Sequence, residues 1–144
     1  ADLRAIWGSS ANDIWIVGSS GTILRWEGSQ WTPVTSGTSN ILYGLWGNGP
    51  NNVWAAGSSG TTLYWNGTQW QTRASGTSSD LFDVWGSGSE AWATGAGGLI
   101  LHWTGASWLP SASGCQTSLD SIWGFGPKDI WAVGFSGSIL HRTQ

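Results

Sequence analysis

The sequence predicts an all-β fold, a β-propeller built from four-stranded blades of about 39 residues, nearly four blades to the chain. Two observations carry that prediction. Trp-Gly pairs recur at Trp7-Gly8, Trp46-Gly47, Trp85-Gly86 and Trp123-Gly124, spaced 39, 39 and 38 residues apart. Between them, short apolar runs alternate with Gly, Ser, Thr and Asn clusters, the punctuation of strands and turns, and no segment has helical periodicity. A parallel β-helix has shorter coils without hairpins, and an immunoglobulin-like sandwich does not repeat its sequence.

The copies read as residues 3–41, 42–80, 81–118 and 119–144 of one propeller or part-propeller spanning 1–144. Copy two shows the elements in order. Its first strand is Leu42 to Trp46, closed by a Gly-rich turn. The second is Asn52 to Gly57, with Asn52, like Asp13 and Asp129, suited to the turn entry. Ser58-Ser59-Gly60 turns the chain into a third strand, Thr61 to Trp65. Asn66-Gly67 then reads as a type I′ hairpin signal, and strand four begins near Trp70. Copy three is one residue shorter at a turn, where Ser89-Glu90-Ala91 replaces Pro50-Asn51-Asn52-Val53. Copy four stops after its third strand, which leaves a four-bladed ring with a trimmed last blade, a piece of a longer propeller, or assembly with copies of itself. Blades of this length commonly build rings larger than four, so self-assembly or a longer parent is the expectation.

All 14 tryptophans fall in four columns of the repeat. The first is the Trp-Gly column, and the second is Trp15, Trp54, Trp92 and Trp131. The third is Trp26, Trp65 and Trp103, with Arg142 in its place in copy four; the last is Trp31, Trp70 and Trp108. A single sheet with two apolar faces buries neither alone, whereas stacked blades bury both, as the run Ile14-Trp15-Ile16-Val17 requires. The first two columns sit within apolar strands and are assigned to the core. The two columns flanking the Trp-x-Gly-x-x-Trp turn are the ones open to binding.

Composition narrows the function. Net charge is −3, and the five basic residues (Arg4, Arg25, Arg73, Lys128, Arg142) are scattered, which argues against a nucleic-acid partner. No apolar stretch is long enough for a membrane span, so no membrane insertion is expected. Cys115 is the one cysteine and forms no intrachain disulfide. The histidines, His102 and His141, share a strand-three position with Arg25 and Tyr64, which speaks for a variable site and not a metal pair. Serines lie in turns with no histidine at motif distance, so the chain is not expected to be an enzyme, and no catalytic residue, metal or cofactor is called for.

The consensus Trp-Gly-x-Gly-x-x-Asp-Ile/Val-Trp-Ala-Val-Gly-x-x-Gly-Thr-Ile-Leu-His-Trp-x-Gly-x-x-Trp resembles the Trp- and Gly-rich propeller repeats of bacterial secreted and surface proteins. The segments Trp26 to Trp31, Trp65 to Trp70 and Trp103 to Trp108 look like a shortened Asp-box turn without its Ser and Asp. The resemblance implies a propeller in an extracellular or cell-surface setting. Trp beside Asn, Gln, Ser and Thr is also the palette of a sugar site, and propeller lectins of the tachylectin type place equivalent weak sites between blades. The expectation is therefore a non-enzymatic, multivalent glycan-binding module using Trp26, Trp65 and Trp103 with Arg25, Tyr64, His102, Glu27, Asn66 and Gln69. The alternative is a structural or protein-interaction propeller with every Trp in the core. The partner is accordingly a carbohydrate or another protein.

Overall fold

The computed structural model describes residues Ala1–Gln144 as four antiparallel sheets in an arc. Blade one is β1 (Leu3–Ser10), β2 (Asp13–Gly18), β3 (Ile23–Trp26) and β4 (Trp31–Pro33), paired in chain order. Blade two is β5 (Leu42–Gly49), β6 (Asn52–Gly57), β7 (Thr62–Trp65) and β8 (Trp70–Thr72). Blade three is β9 (Leu81–Ser87), β10 (Glu90–Gly95), β11 (Ile100–Trp103) and β12 (Trp108–Pro110). Blade four has three strands: β13 (Leu119–Gly126), β14 (Asp129–Gly134) and β15 (Ile139–Arg142). The predicted propeller architecture is thus what forms. The first strand of each blade is innermost; β1 packs on β5, β5 on β9 and β9 on β13, with no comparable contact from β13 back to β1.

Local differences from the sequence reading have physical causes. The first strand of blade two runs on to Gly49, because Gly47 and Gly49 keep pairing with Val53 and Asn52 across a bulge. The Ser58–Gly60 turn is a single tight turn with Ser59 at φ 55° and Gly60 at φ 70°. A side chain at Gly60 would meet the Thr77 carbonyl at 1.9 Å, so glycine is required there for space as well as for conformation. Asn66-Gly67 is not a type I′ turn. Only Gly67 has positive φ, and a four-residue loop is closed by Asn66 Oδ1 accepting the Thr68 and Gln69 amides at 2.9 and 3.0 Å. The asparagine acts through its side chain, as an Asx-turn, and not through a left-handed backbone.

The core lies between blades. At the first junction Trp15, Val17 and Ile23 meet Leu45, Val53, Ala55, Leu63, Trp65 and Trp70 of blade two. At the second, Trp54 and Ala56 meet Val84, Ala91, Ala93, Leu101 and Trp108. At the third, Trp85 and Trp92 meet Ile122 and Ile130. Each blade therefore presents one face to its successor and the other to its predecessor. Deleting a tryptophan from such a junction costs about 3–5 kcal/mol.

Candidate functional site

Residues on strands two and three of each blade build a repeated stack. Strand register sets Trp15 opposite Arg25, Trp54 opposite Tyr64, Trp92 opposite His102 and Trp131 opposite His141. The Arg25 guanidinium lies 4.8 Å over the Trp15 ring, and Tyr64 lies 4.8 Å from Trp54. His102 is nearly parallel to Trp92 at 4.5 Å, and His141 to Trp131 at 3.8 Å. In three of the blades an acid at the head of strand two holds the partner of this ring. Arg25 Nε donates to Asp13 Oδ1 at 3.0 Å, His102 Nε2 bonds Glu90 Oε2 at 2.6 Å, and His141 Nε2 bonds Asp129 Oδ1 at 2.8 Å. Asp13 is more than a turn former: the Arg25 pair and the Ser9 hydroxyl hold it in a buried position. The signal for this stack was present in the sequence, since acid and base stand 12 residues apart in these three copies.

The nine candidate ligand-binding residues divide between junction and surface. Trp65 is 5% exposed, tilted against Trp15 at 4.8 Å, and its indole N–H donates to the Pro50 carbonyl at 3.2 Å. Arg25 joins it there, 5.5 Å from the Trp65 ring. Trp103 is half-buried against Trp54 at 4.9 Å, and Trp26 is half-buried against Trp31 at 5.7 Å. Tyr64 is half-buried, with the Arg73 guanidinium 5.3 Å from its ring. Glu27 is exposed, with Oε1 3.4 Å from an Arg25 guanidinium nitrogen. Asn66 and Gln69 are exposed and serve the loop just described.

Exposure thus varies along the array and not by column. The second column is buried at Trp15, Trp54 and Trp92 but 40% exposed at Trp131. The fourth is buried at Trp70 and Trp108 but 40% exposed at Trp31. The first runs from buried Trp85 to Trp123 at 62%. Assigning the first two columns wholly to the core is corrected at blade four, and of the last two, kept as candidates for binding, Trp65, Trp70 and Trp108 are buried between blades. What matters is whether a neighbouring blade stands against the face concerned.

Two of the cavities between blades have a second-column tryptophan in their walls. One of about 290 Å³ brings Tyr64 and Trp103 together with Trp54, Asn52 and Arg73 between blades two and three. The other, about 270 Å³, lies between blades three and four, lined by Trp92, Ile100, Ile122, Ile130, Leu140 and Arg142 among others. It occupies the place where the earlier junctions hold a tryptophan pair, Trp65 with Trp70 and Trp103 with Trp108. Arg142 stands in for the first of these, its Nε donating to the Pro127 carbonyl at 3.2 Å as Trp65 donates to Pro50. Nothing stands in for the second, and the outer edge of β15 carries no strand. Sequence reasoning missed this cavity because its lining comes from two blades.

Two titrating groups depart from ordinary behaviour. Burial pushes the Asp83 carboxyl up, against hydrogen bonds from the Ile122 and Val84 amides and the Ser121 hydroxyl. The Cys115 thiol is lowered by its hydrogen bonding with the Thr117 and Ser138 hydroxyls. No group of three or more His, Cys, Asp or Glu residues converges as a set of metal donors.

No family model matches the sequence, and no curated protein matches it. Solved structures do. YCF48 from Cyanidioschyzon merolae is similar at 19% identity and TM-score 0.78, over 98% of this chain and 50% of that one. YCF48 bound to D1 peptide is similar at 20% identity and TM-score 0.78, over 99% and 51%. The computationally designed Ika4 and Ika8 proteins are both 18% identical, at TM-scores of 0.82 and 0.83. This chain covers 91% of the Ika4 chain and 46% of the Ika8 chain. It therefore spans about half the length of YCF48. At these identities the likeness is one of fold.

Proposed function

We propose that the chain is a non-enzymatic, protein-binding propeller module whose fourth blade takes up an extended segment of a partner. The observation that carries this reading is the cavity of about 270 Å³ beside Trp92 and Ile130, bordered by the edge of β15. Blades two and three show the occupant it fits: a short strand alongside the third, with a tryptophan seated against the preceding blade's second-column Trp. An extended peptide that adds a strand gains main-chain hydrogen bonds from the edge and side-chain specificity from the cavity. That a structural relative, YCF48, has been solved bound to D1 peptide supports a protein partner. A setting outside the cell or on its surface belongs to the same proposal.

The test uses a fluorescein-labelled peptide with the chain's own sequence from Asn66 to Ala74, which carries Trp70. Saturable anisotropy change with the native peptide, and loss of it when Trp70 is replaced by Ser, is the expected result. No binding up to about 1 mM, the weak end of specific recognition, overturns the reading. Equal binding of both peptides overturns it too, because the cavity would then contribute nothing.

A second reading, glycan binding between blades, is favoured by one observation: the 290 Å³ cavity lined by Trp54, Tyr64 and Trp103 with Asn52 and Arg73. Aromatic faces beside neutral and cationic donors suit a sugar ring. Saturation-transfer NMR against a panel of mono- and disaccharides tests it. Signal that disappears in Tyr64→Ala supports this site; no signal from any sugar sinks it.

A further inference from the structure

We infer that a second copy of this chain closes the propeller head to tail, the open face of blade four in each copy packing on the open face of blade one in the other. The inference rests on reading the chain as a protein-binding propeller, and it uses a different surface from the cavity beside Trp92.

One contact recurs at all three junctions of the chain, and a fourth copy of it is present in two separated halves. In each complete junction the Trp of one Trp-Gly pair lies over the Gly of the next. A methyl group added at Gly47 would stand 2.6 Å from the Trp7 ring, at Gly86 2.5 Å from Trp46, and at Gly124 2.6 Å from Trp85. Trp123 has no glycine beneath it and is exposed. At Gly8 the nearest atoms to an added methyl group belong to Asp13 and Ile14 of its own blade, and none of them to a ring. The knob and its seat are both present, at opposite ends of the arc.

The rest of the two faces agrees. Trp15 sits between Trp65 and Trp70, and Trp54 between Trp103 and Trp108. Trp131, the equivalent ring of blade four, stacks only on its own His141, while the Trp26–Trp31 pair of blade one packs on no second-column ring. Val133 and Ile139 are exposed where Val17 and Ile23, at the same repeat positions, are buried by blade two. On the other half, Ile6 is 65% exposed where Leu45, Val84 and Ile122 are buried. Exposed apolar area of this kind on both ends of one chain marks an interaction surface.

Charge fits the same pairing. At the inner rim Tyr43 of blade two packs on Phe82 of blade three at 5.5 Å. The equivalent positions in blades one and four are Arg4 and Asp120, both exposed. Head-to-tail docking sets Asp120 of one copy beside Arg4 of the other, opposite charges at the rim, where they favour correct pairing. The interface is heterologous, and a ring of two copies would hold two identical junctions and cover the end faces of both blades one and four.

Light scattering on the chain over a wide concentration range should give twice the 15.3 kDa monomer mass. Trp123→Ser and Trp31→Ser should each give the monomer with unchanged circular dichroism, since both rings are exposed in the single chain. An equimolar mixture of the two should regain twice the monomer mass, because one junction of each mixed pair is intact. Leu109→Ser, on the outer strand of blade three, should leave assembly unchanged. A wild-type monomer at all concentrations overturns the inference, as does any other multiple of the mass. So does an assembly that survives Trp123→Ser, as pairing of like faces would through the intact blade-one face, or a mixture that stays monomeric. Anisotropy with the Asn66 to Ala74 peptide is read on the same samples. Peptide binding by a monomeric wild type overturns this inference alone, and assembly without peptide binding overturns the strand-uptake reading alone.

Discussion

Trp65→Ala separates a junction residue from a ligand platform. In the fold its ring is 5% exposed, lies 4.8 Å from Trp15 and 5.9 Å from Trp70, and donates a hydrogen bond to Pro50. Removing it empties one side of the Trp15 box and leaves the Pro50 carbonyl without that donor. Large-to-small changes at buried tryptophans cost about 3–5 kcal/mol, and the transfer of 150–250 Å² of ring alone amounts to ~4–6 kcal/mol as an upper value. At about 2–4 °C per kcal/mol for a chain of this size, the melting temperature should fall by roughly 10 °C. The assay is urea unfolding followed by circular dichroism and by intrinsic fluorescence, because an array of blades need not unfold in one step. Trp123→Ala, measured at a dilution where copies are apart, is the control, since its ring is 62% exposed; it should stay within about 0.5 kcal/mol of the parent. If Trp65→Ala unfolds within about 1 kcal/mol of the parent and instead abolishes binding of a sugar, the junction argument fails for the whole third column.

Three other outcomes follow from the geometry. Gly47→Ala should destabilise by about 1–3 kcal/mol, because the new methyl group collides with the Trp7 ring, whereas Gly126→Ala, with open space around it, should be neutral or slightly stabilising; both are read as urea midpoints. Asp83 is raised above 3.8 by burial, so the folded chain holds its proton more tightly than the unfolded one. The stability this gives is fully present below about pH 3.8 and is lost as pH rises through the higher folded value. Asp83→Asn should therefore gain on the parent as pH is raised from about 3 to 6, and parallel curves would show that burial does not perturb this carboxyl. Cys115 occupies the position where copies one and two carry Thr38 and Thr77, whose hydroxyls accept the Asn40 and Ser79 amides at 3.0 and 3.1 Å. Cys115→Thr should give the Thr117 amide the hydroxyl acceptor that the other copies have and raise the urea midpoint.

Repetition made the architecture legible, since three near-complete copies repeat every strand and turn in register. The Asn52–Gly57 strand and the acid–base spacing of 12 could be read from residue types and their intervals alone, because cross-strand partners are fixed by local register. The loop at Asn66 could not, because an asparagine closes a turn either by its own φ or by its side chain, and the sequence is the same for both.

Sequence alone determined the fold, the blade length and the existence of four tryptophan columns. All three follow from local patterning that every copy shares. Only the tertiary structure decided which tryptophans are covered. Trp70 and Trp31 stand in one column with similar neighbours, yet the first is buried by blade one and the second stands exposed. Burial here is a property of a junction between two blades, and a residue in an end blade has the same sequence environment with half of the junction missing. The same physics puts Trp123 at one end of the arc and Gly8 at the other, as two halves of a contact that the chain makes with itself three times over.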